Sequence, residues 1–417
     1  MTTAAVSAQG WFGWWRAASI DARRALLAAA FGWMLDAFDV MLFALVLPAV
    51  SADLGLTRIE GGLLGSVMLI AGAAGGVGFG WFADRFGRTR ALMLSVTLYS
   101  VFTAACGFST NLTQFIIFRI LLGFGMGGEW ASGAALVSET WPSEHRGKAL
   151  GLMQSGWAIG YAAAALVNGL VLPTFGWRAV FFVGILPAFL TIWVRRYVKE
   201  PEIWTASRSA PRTEGSGLGV LFRGDYVKLT AALTLMNACT LFAWWGFNLW
   251  LPSYLRQPPS QGGVGLSEVT MSNFVAFMQV GMWFGYVTFG FISDSLGRKR
   301  TYVTYLLCAA ALLFVYVSVP NPLLLLVLGP FVAFFATGYF SGFGAVTAEI
   351  YPTRFRATAQ GFTYNIGRIV SAAAPFTVGT LATTYGFGSA LMVSSVAFIV
   401  AAVVWIWIPE TKGRALA

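Results

Sequence analysis

Residues 80–90 read GWFADRFGRTR and residues 290–300 read GFISDSLGRKR, so the two stretches match at a constant offset. In each stretch several charged residues follow directly after a long apolar, glycine-rich run. The offset aligns Asp84 with Asp294 and Arg88 with Arg298. The chain therefore repeats one architecture, in which a charged loop ends an apolar segment.

A second motif repeats at the same offset. Residues 139–151, ETWPSEHRGKALG, align with residues 349–361, EIYPTRFRATAQG. The alignment pairs Glu139 with Glu349 and Arg146 with Arg356. Two motifs in one register indicate two related halves, each with one charged loop between its second and third segments and another between its fourth and fifth.

The composition indicates an integral membrane protein. Hydrophobic residues make up 57% of the chain and charged residues 11%, whereas soluble domains carry about 25% charged residues. Twelve apolar runs are long enough to cross about 30 Å of hydrocarbon as helices. They lie near 24–50, 58–82, 89–109, 111–137, 147–172, 177–194, 227–255, 268–293, 299–319, 322–348, 357–382 and 386–408. Strands of a membrane β-barrel would be shorter and alternating, so an all-α fold is predicted.

The distribution of basic residues predicts the topology. With the 80–90 loop placed in the cytoplasm, three of the 27 Lys and Arg lie outside and two lie within spans, and the remaining twenty-two are cytoplasmic. The net charge of +10 thus reflects topology, and no nucleic-acid partner is expected. Both termini are predicted to be cytoplasmic, and residues 1–22 read as an interfacial segment without a cleavable signal. The predicted organisation is a bundle at 23–194, a linker at 195–226, a bundle at 227–409 and a tail at 410–417.

The repeated loops resemble the signature loop of the major facilitator superfamily, and the resemblance covers essentially the whole chain. Residues 119–139 together with 146–156, residues 36–39 (DAFD) and residues 365–375 (NIGRIVSAAAP) are similar to the bacterial metabolite, aromatic acid and sialate proton symporters. Ala37 stands where that branch usually has Gly. The resemblance implies two six-helix bundles related by a pseudo-two-fold axis, with substrate bound between them near the midplane and exposed to each side in turn.

Eight residues are predicted to act in gating. A carboxylate at the membrane edge needs donors such as the free N–H groups of a neighbouring helix, and in the resembled family the loop aspartate contacts the other half and holds one state closed. Anchoring of the helix ends is the alternative and would explain the arginines alone. The predicted gating residues are Asp84, Arg88, Asp294, Arg298, Glu139, Arg146, Glu349 and Arg356.

Four ionisable residues within the first-half spans are candidates for proton coupling. A charge near the bilayer centre costs about 2.5–3.5 kcal/mol, so each needs a partner or a function. Asp36 and Asp39 lie three residues apart on helix 1 and can face one cavity, where both cannot ionise cheaply. Arg119 is expected to pair with one of them. Glu129 is expected to act in the cytoplasmic gate or as a second proton site.

Arg368 is the predicted substrate residue. It lies in the middle of helix 11, no acid in the second-half spans is available to neutralise it, and a guanidinium suits a carboxylate bidentately. A structural arginine bonded to backbone carbonyls is the alternative. Polar or aromatic residues on related faces are predicted to line the same cavity; they are Tyr364, Asn365, Asn248, Gln154, Trp157 and Gln279.

Other classes of function lack the residues they need. The three cysteines all fall within spans and the lone His145 in a loop, so neither a metal site nor a His-based triad is expected. Gly123, Gly125 and Gly128 fit a dinucleotide motif without the strands around it, so no cofactor is expected. The sequence predicts a monomeric, proton-coupled importer of a small organic anion (a monocarboxylate, an aromatic acid or a sialic acid) in a bacterial inner membrane, not an enzyme. Proton-coupled efflux of drugs or metabolites, substrate sensing on a transporter scaffold and uncoupled uniport are the alternatives.

Overall fold

The computed structural model describes residues 13–141, 143–202, 205, 221–224, 226–319, 321–351 and 353–412. Within these ranges the side chains at 13, 17, 84, 131, 138, 143, 144, 146, 147, 294, 348 and 353–358 are not described. Helices dominate the described residues. Their bounds in the first half are α1 Gly13–Ala17, α2 Ile20–Leu54, α3 Arg58–Phe86, α4 Arg88–Cys106, α5 Leu112–Thr140, α6 Ser143–Val183 and α7 Leu190–Tyr197. In the second half they are α8 Tyr226–Arg256, α9 Glu268–Leu296, α10 Arg298–Ser318, α11 Pro322–Thr337, α12 Phe343–Ile350, α13 Thr353–Ser371 and α14 Ala373–Val404.

Ten helical stretches of the described residues are long and apolar enough to span a membrane. Two of them, Lys148–Tyr197 and Ala359–Val404, hold 50 and 46 residues, about twice the length that one crossing needs. Gly176 with φ 76° interrupts the first, and Gly386 with φ 78° interrupts the second. Only glycine adopts this conformation readily. Each long stretch therefore crosses twice, which yields the twelve predicted spans, and the two breaks are related by the same offset as the repeated loops.

The tenth predicted span is not one continuous helix. It consists of α11, a 3₁₀ segment at Gly338–Gly342, and α12. Aromatic rings pack directly on the two glycines of this segment: an added Cβ on Gly338 would lie 2.6 Å from Tyr305, and one on Gly342 would lie 2.5 Å from Phe289. The corresponding helix of the first half, α5, runs without interruption. The second half thus departs from the first at this span.

The two halves meet tightly at the end of the bundle that holds Arg58. Its guanidinium donates to the Ala382 carbonyl and lies 3.4 Å from the Gln261 side-chain oxygen. The ring of Phe387 lies 4.7 Å from the same guanidinium. We call this the sealed end, and we call the end that holds Arg88 and Arg298 the basic end.

A second bridge between the halves lies toward the sealed end. The Asn168 amide of α6 donates to Glu268 at 2.8 Å and to the Ser272 hydroxyl at 3.0 Å, both on α9. Glu268 also forms an ion pair with Arg256 at 2.9 Å. These contacts join α6 to α9 and add to the contacts of Arg58.

Candidate functional site

A cavity of about 380 Å³ lies between the two halves. The first half contributes Trp33, Met126, Gln154 and Trp157. The second half contributes Leu241, Trp244, Trp245, Tyr286, Phe340, Tyr364 and Arg368. Its lining combines aromatic rings with one cation. The predicted residues Arg368, Tyr364, Gln154 and Trp157 therefore come together in one cavity.

Arg368 is 6% exposed and lies where the halves meet. Its Nη2 donates to the Met126 sulfur of α5 at 3.2 Å, a weak acceptor. Gly72 of α3 lets the guanidinium approach, since an added Cβ there would lie 3.0 Å from Nη2. Asp36 lies within electrostatic range, and among the described residues no ion pair joins the two. The cation is therefore buried with little compensation from the protein.

Three carboxylates lie near this cation inside the first half. Asp36, Asp39 and Glu129 are fully buried, and none of their oxygens has a hydrogen-bond partner among the described residues. Asp36 interacts electrostatically with both of the others. Glu129 packs against Gly32 of α2, where any Cβ would overlap its Oε1. Glu129 thus lies beside the acids of α2, and its role in the cytoplasmic gate or as a second proton site stays a prediction.

The expected pairing of Arg119 with an acid of α2 is wrong for this state of the protein. Its guanidinium lies over the Phe43 ring at 4.0 Å, and its Nη2 contacts the Met68 sulfur at 2.8 Å. Nε and Nη1 have no acceptor among the described residues. Cys106 lies within electrostatic range of both Arg119 and Asp39. An aromatic face and a thioether thus occupy the place at which the sequence predicts a carboxylate.

The cavity wall is a chain of aromatic contacts that crosses between the halves. Trp157 lies 4.6 Å from Trp33 and 5.6 Å from Trp244, measured between ring centroids. On the basic-end side, Trp130 of α5 stacks on Tyr364 of α13 at 5.0 Å and 15°. Offset and edge-on contacts of this kind are favourable for aromatic rings. The wall therefore joins the two halves on both flanks of Arg368.

Three predicted substrate residues do not line the cavity. Each donates its side-chain amide one turn back within its own helix: Asn365 to Gly361 at 3.0 Å, Asn248 to Trp244 at 3.0 Å, and Gln279 to Val275 at 2.9 Å. These bonds hold the amides against the helix backbone. Contact with substrate stays a prediction for all three.

The basic end carries two equivalent ion pairs, one in each half. Arg88 binds Glu139 at 3.0 Å, and Arg298 binds Glu349 at 2.9 Å. Each pair joins the start of one helix to the end of another within its own half. The other four predicted gating side chains, Asp84, Asp294, Arg146 and Arg356, lie outside the described residues. Gating stays a prediction for the whole set.

Two further glutamates complete this symmetry. Glu200 accepts hydrogen bonds from the backbone N–H groups of Arg88 and Thr89 at 2.7 and 3.1 Å. Glu410 accepts them from Arg298 and Lys299 at 2.9 and 3.1 Å. Both cap helix N-termini, where anions are stabilised. Glu200 and Glu410 are related by the offset of the internal repeat, so the repeat itself was a signal that could have found them.

Several lining residues carry no signal that the sequence analysis could use. Trp33, Met126, Trp245 and Phe340 are ordinary apolar residues within spans, in a chain that is 16% aromatic. Trp244 and Tyr286 lie on polar-aromatic helix faces of α8 and α9, which was a weak pointer. Only the packing of the two halves distinguishes a lining ring from a core ring.

Comparisons with known proteins agree with this architecture. The family model described as Major Facilitator Superfamily matches residues 29–260 and 233–417. A protein of Cupriavidus pinatubonensis named "Probable 4-methylmuconolactone transporter" is 36% identical over 97% of this chain and 94% of its own length. A cis,cis-muconate transport protein of Acinetobacter baylyi is 33% identical over 91% of this chain and 92% of its own length.

Among solved structures, the xylose transporter XylE of E. coli in a partially occluded inward-open conformation has a similar fold. Its TM-score is 0.77 at 20% identity, covering 95% of this chain and 100% of that one. The predicted twelve-helix, two-bundle fold is thus confirmed. The chain is a multi-pass membrane transporter, and it belongs to the major facilitator superfamily.

Proposed function

We propose that the protein imports a small organic anion together with protons, by alternating access of the cavity between its two halves. The observation that carries the proposal is Arg368, the one cation among the described lining residues, buried with a thioether as its hydrogen-bond partner. A guanidinium in this setting lacks the charge-assisted bonds that make it stable away from water. The carboxylate of a substrate would supply them.

Asp36 links this anion site to proton binding in the proposed mechanism. When ionised, Asp36 attracts the Arg368 guanidinium across the interface between the halves and competes with a substrate carboxylate for it. Protonation of Asp36 removes the competing charge, so proton and anion are expected to bind together. Asp39 and Glu129 lie beside Asp36 and would pass the proton onward or hold a second one.

The aromatic wall indicates the shape of the substrate. A cavity lined largely by aromatic rings beside one guanidinium favours a planar, unsaturated or aromatic acid over a bulky polar one. The two relatives named above are described as transporters of cis,cis-muconate and 4-methylmuconolactone. We propose that this chain takes an acid of the same kind.

The basic residues set the proposed orientation of the two ends in the membrane. The contacts of Arg58 and Asn168 close the sealed end, which we place on the outer side of a bacterial inner membrane. The basic end and both termini would then lie in the cytoplasm. The pairs Arg88–Glu139 and Arg298–Glu349 would hold the loops of each half during rocking, together with Asp84, Asp294, Arg146 and Arg356. We propose that a monomer carries out the whole cycle.

Uptake of labelled acids into proteoliposomes tests the proposal. With the interior made alkaline relative to a more acidic exterior, the wild-type protein is expected to accumulate a planar carboxylate against its gradient. Arg368→Gln is expected to lower binding about 100-fold or more, because a buried ionic partner is lost. Arg368→Lys keeps the positive charge but lacks the planar guanidinium group. Its affinity for the acid should lie between those of the wild type and Arg368→Gln. Efflux driven by the same gradient would contradict import, and unchanged binding by Arg368→Gln would contradict the anion site.

A further inference from the structure

The cavity contains hydrogen-bond donors that no acceptor in the described protein satisfies. The indole N–H groups of Trp33, Trp157 and Trp244 are buried and have no partner among the described residues. All three rings line the cavity. We call these residues the indole set. They come from both halves, since Trp33 and Trp157 lie on α2 and α6 and Trp244 lies on α8.

Several other tryptophans of the chain do find acceptors. Trp250 donates to the Pro375 carbonyl at 2.8 Å, and Trp141 donates to the Ala22 carbonyl at 2.8 Å. Trp177 donates to Asp53 at 3.2 Å. A buried donor left without an acceptor costs about 1–3 kcal/mol. Trp405 also lacks an acceptor but lies outside the cavity, so the three donors around one cavity are a concentration of unpaired indole groups among the described residues.

The acceptors available in the cavity do not match these donors. Gln154 offers a side-chain oxygen, and Trp130 already donates to it at 3.4 Å. Arg368 provides donors only. A ligand that enters the cavity thus meets a guanidinium at one place and free indole N–H groups at another. It would satisfy both by carrying two separate acceptors.

We infer that the indole set selects, among planar carboxylates, those that bear a second hydrogen-bond acceptor such as a ring nitrogen, a carbonyl or another carboxylate. This inference rests on the proposed function, because Arg368 holds the first carboxylate. An acid without the second acceptor fills the same space and leaves the indole donors unsatisfied. Sites built around hydrogen-bond donors discriminate strongly against ligands that lack the acceptor.

Matched pairs of acids test the inference. Nicotinate differs from benzoate by one ring nitrogen, and trans,trans-muconate differs from sorbate by a second carboxylate in place of a methyl group. Equilibrium dialysis with the purified full-length protein gives an affinity ratio for each pair. The wild-type protein is expected to prefer the two-acceptor acid of a pair by roughly 5- to 50-fold.

Single substitutions locate the effect. Trp33→Phe, Trp157→Phe and Trp244→Phe remove the N–H group and keep an aromatic ring. Loss of the preference in at least one of the three variants, through a larger fall in affinity for the two-acceptor acid than for its partner, would support the inference. Trp250→Phe, whose indole already has an acceptor and does not line the cavity, should keep the wild-type ratio.

The outcomes separate this inference from the proposed function. Suppose that both acids of a pair bind, that Arg368→Gln lowers the affinity for both, and that all three indole variants keep the wild-type affinity ratio. The inference is then overturned, and the anion site stands. Equal wild-type affinities within both pairs would overturn it in the same way. If none of the four acids binds, the proposed function and the inference both fail.

Discussion

The basic end and the interior of this transporter follow the internal repeat to different degrees. At the basic end the two ion pairs and the two capping glutamates match at the repeat offset: Arg88–Glu139 with Arg298–Glu349, and Glu200 with Glu410. In the interior the counterparts of charged residues are neutral. The positions matching Asp36, Asp39, Arg119, Glu129 and Arg368 hold Gly246, Leu249, Gly329, Tyr339 and Ala158.

Under the proposed function, this difference separates two physical tasks. Rocking one half against the other needs similar helix-end anchors on both sides, so duplicated pairs are retained. Coupling an anion to a proton needs a cation and an acid that can compete for each other, and two copies of both would neutralise one another. The acids accordingly lie in the first half and the cavity arginine lies in the second.

Removal of the interior acids is expected to produce the largest effect. A pH difference of two units can drive accumulation of up to about 100-fold when one proton moves with each substrate. The Asn side chain of Asp36→Asn cannot carry that proton. The internal substrate concentration should therefore fall to nearly the external one, while substrate exchange continues. Asp39→Asn should reduce accumulation less, because Asp39 lies one turn away from Asp36. Uptake with and without an imposed gradient, together with counterflow, measures both. Wild-type accumulation by Asp36→Asn would refute the division of tasks between the halves.

Substitution of the paired glycines at the basic end should destabilise both halves alike. Gly87 and Gly297 have φ of 119° and 98°, in a region that other residues enter at a cost of about 1–3 kcal/mol. An added Cβ would also overlap Glu200 in the first case and lie 2.7 Å from Glu410 in the second. Gly87→Ala and Gly297→Ala should therefore lower the melting temperature in detergent by similar amounts.

Matched controls exist for both glycines. Gly80 and Gly290 have open space around an added Cβ, so Gly80→Ala and Gly290→Ala should leave the melting temperature close to that of the wild type. A large difference between Gly87→Ala and Gly297→Ala would show that the two halves do not share their stability equally.

Loss of either ion pair at the basic end should have a moderate effect. Glu139→Gln and Glu349→Gln each remove one charged partner of a partly buried arginine, at a cost of about 1 kcal/mol. We expect a several-fold change in the rate of substrate exchange, similar for the two variants, with substrate affinity in detergent unchanged. Stopped-flow exchange and equilibrium binding measure the two quantities. A change in affinity equal to the change in rate would place these pairs at the substrate site instead.

The smallest effect concerns acid stability at Glu410. Burial raises the pKa of this carboxyl, but backbone N–H donors from Lys412, Arg298, Lys299 and Thr411 outweigh burial and hold the pKa below its usual value of 4.5. Its contribution to stability is therefore full above about pH 4.5 and is lost as the pH falls through the lowered value. Glu410→Gln should show a shallower fall of melting temperature on acidification than the wild type. Glu202→Gln, at an exposed position, should follow the wild-type curve.

The sequence predicts the fold because both of its signals are long-range and regular. Apolar runs of span length mark the membrane crossings, and the constant offset between repeated motifs reveals the two halves and their charged loops. Arg368 is identifiable because an isolated charge in a span is costly. The environments of Arg119 and of the indole set are not predictable in this way, since they depend on which ring or sulfur lies opposite in three dimensions. Polar residues such as Asn248 are equally ambiguous, because an amide can bond to its own helix as readily as to a ligand.

The contact between the Arg58 guanidinium and the Ala382 carbonyl has a consequence for how the carrier responds to its surroundings. A backbone carbonyl neither titrates nor exchanges its charge for a counterion, so acid or salt at the sealed end leaves this contact intact. Under the proposed import, a more acidic exterior then drives uptake by protonating the interior carboxylates rather than by weakening the contacts of the sealed end.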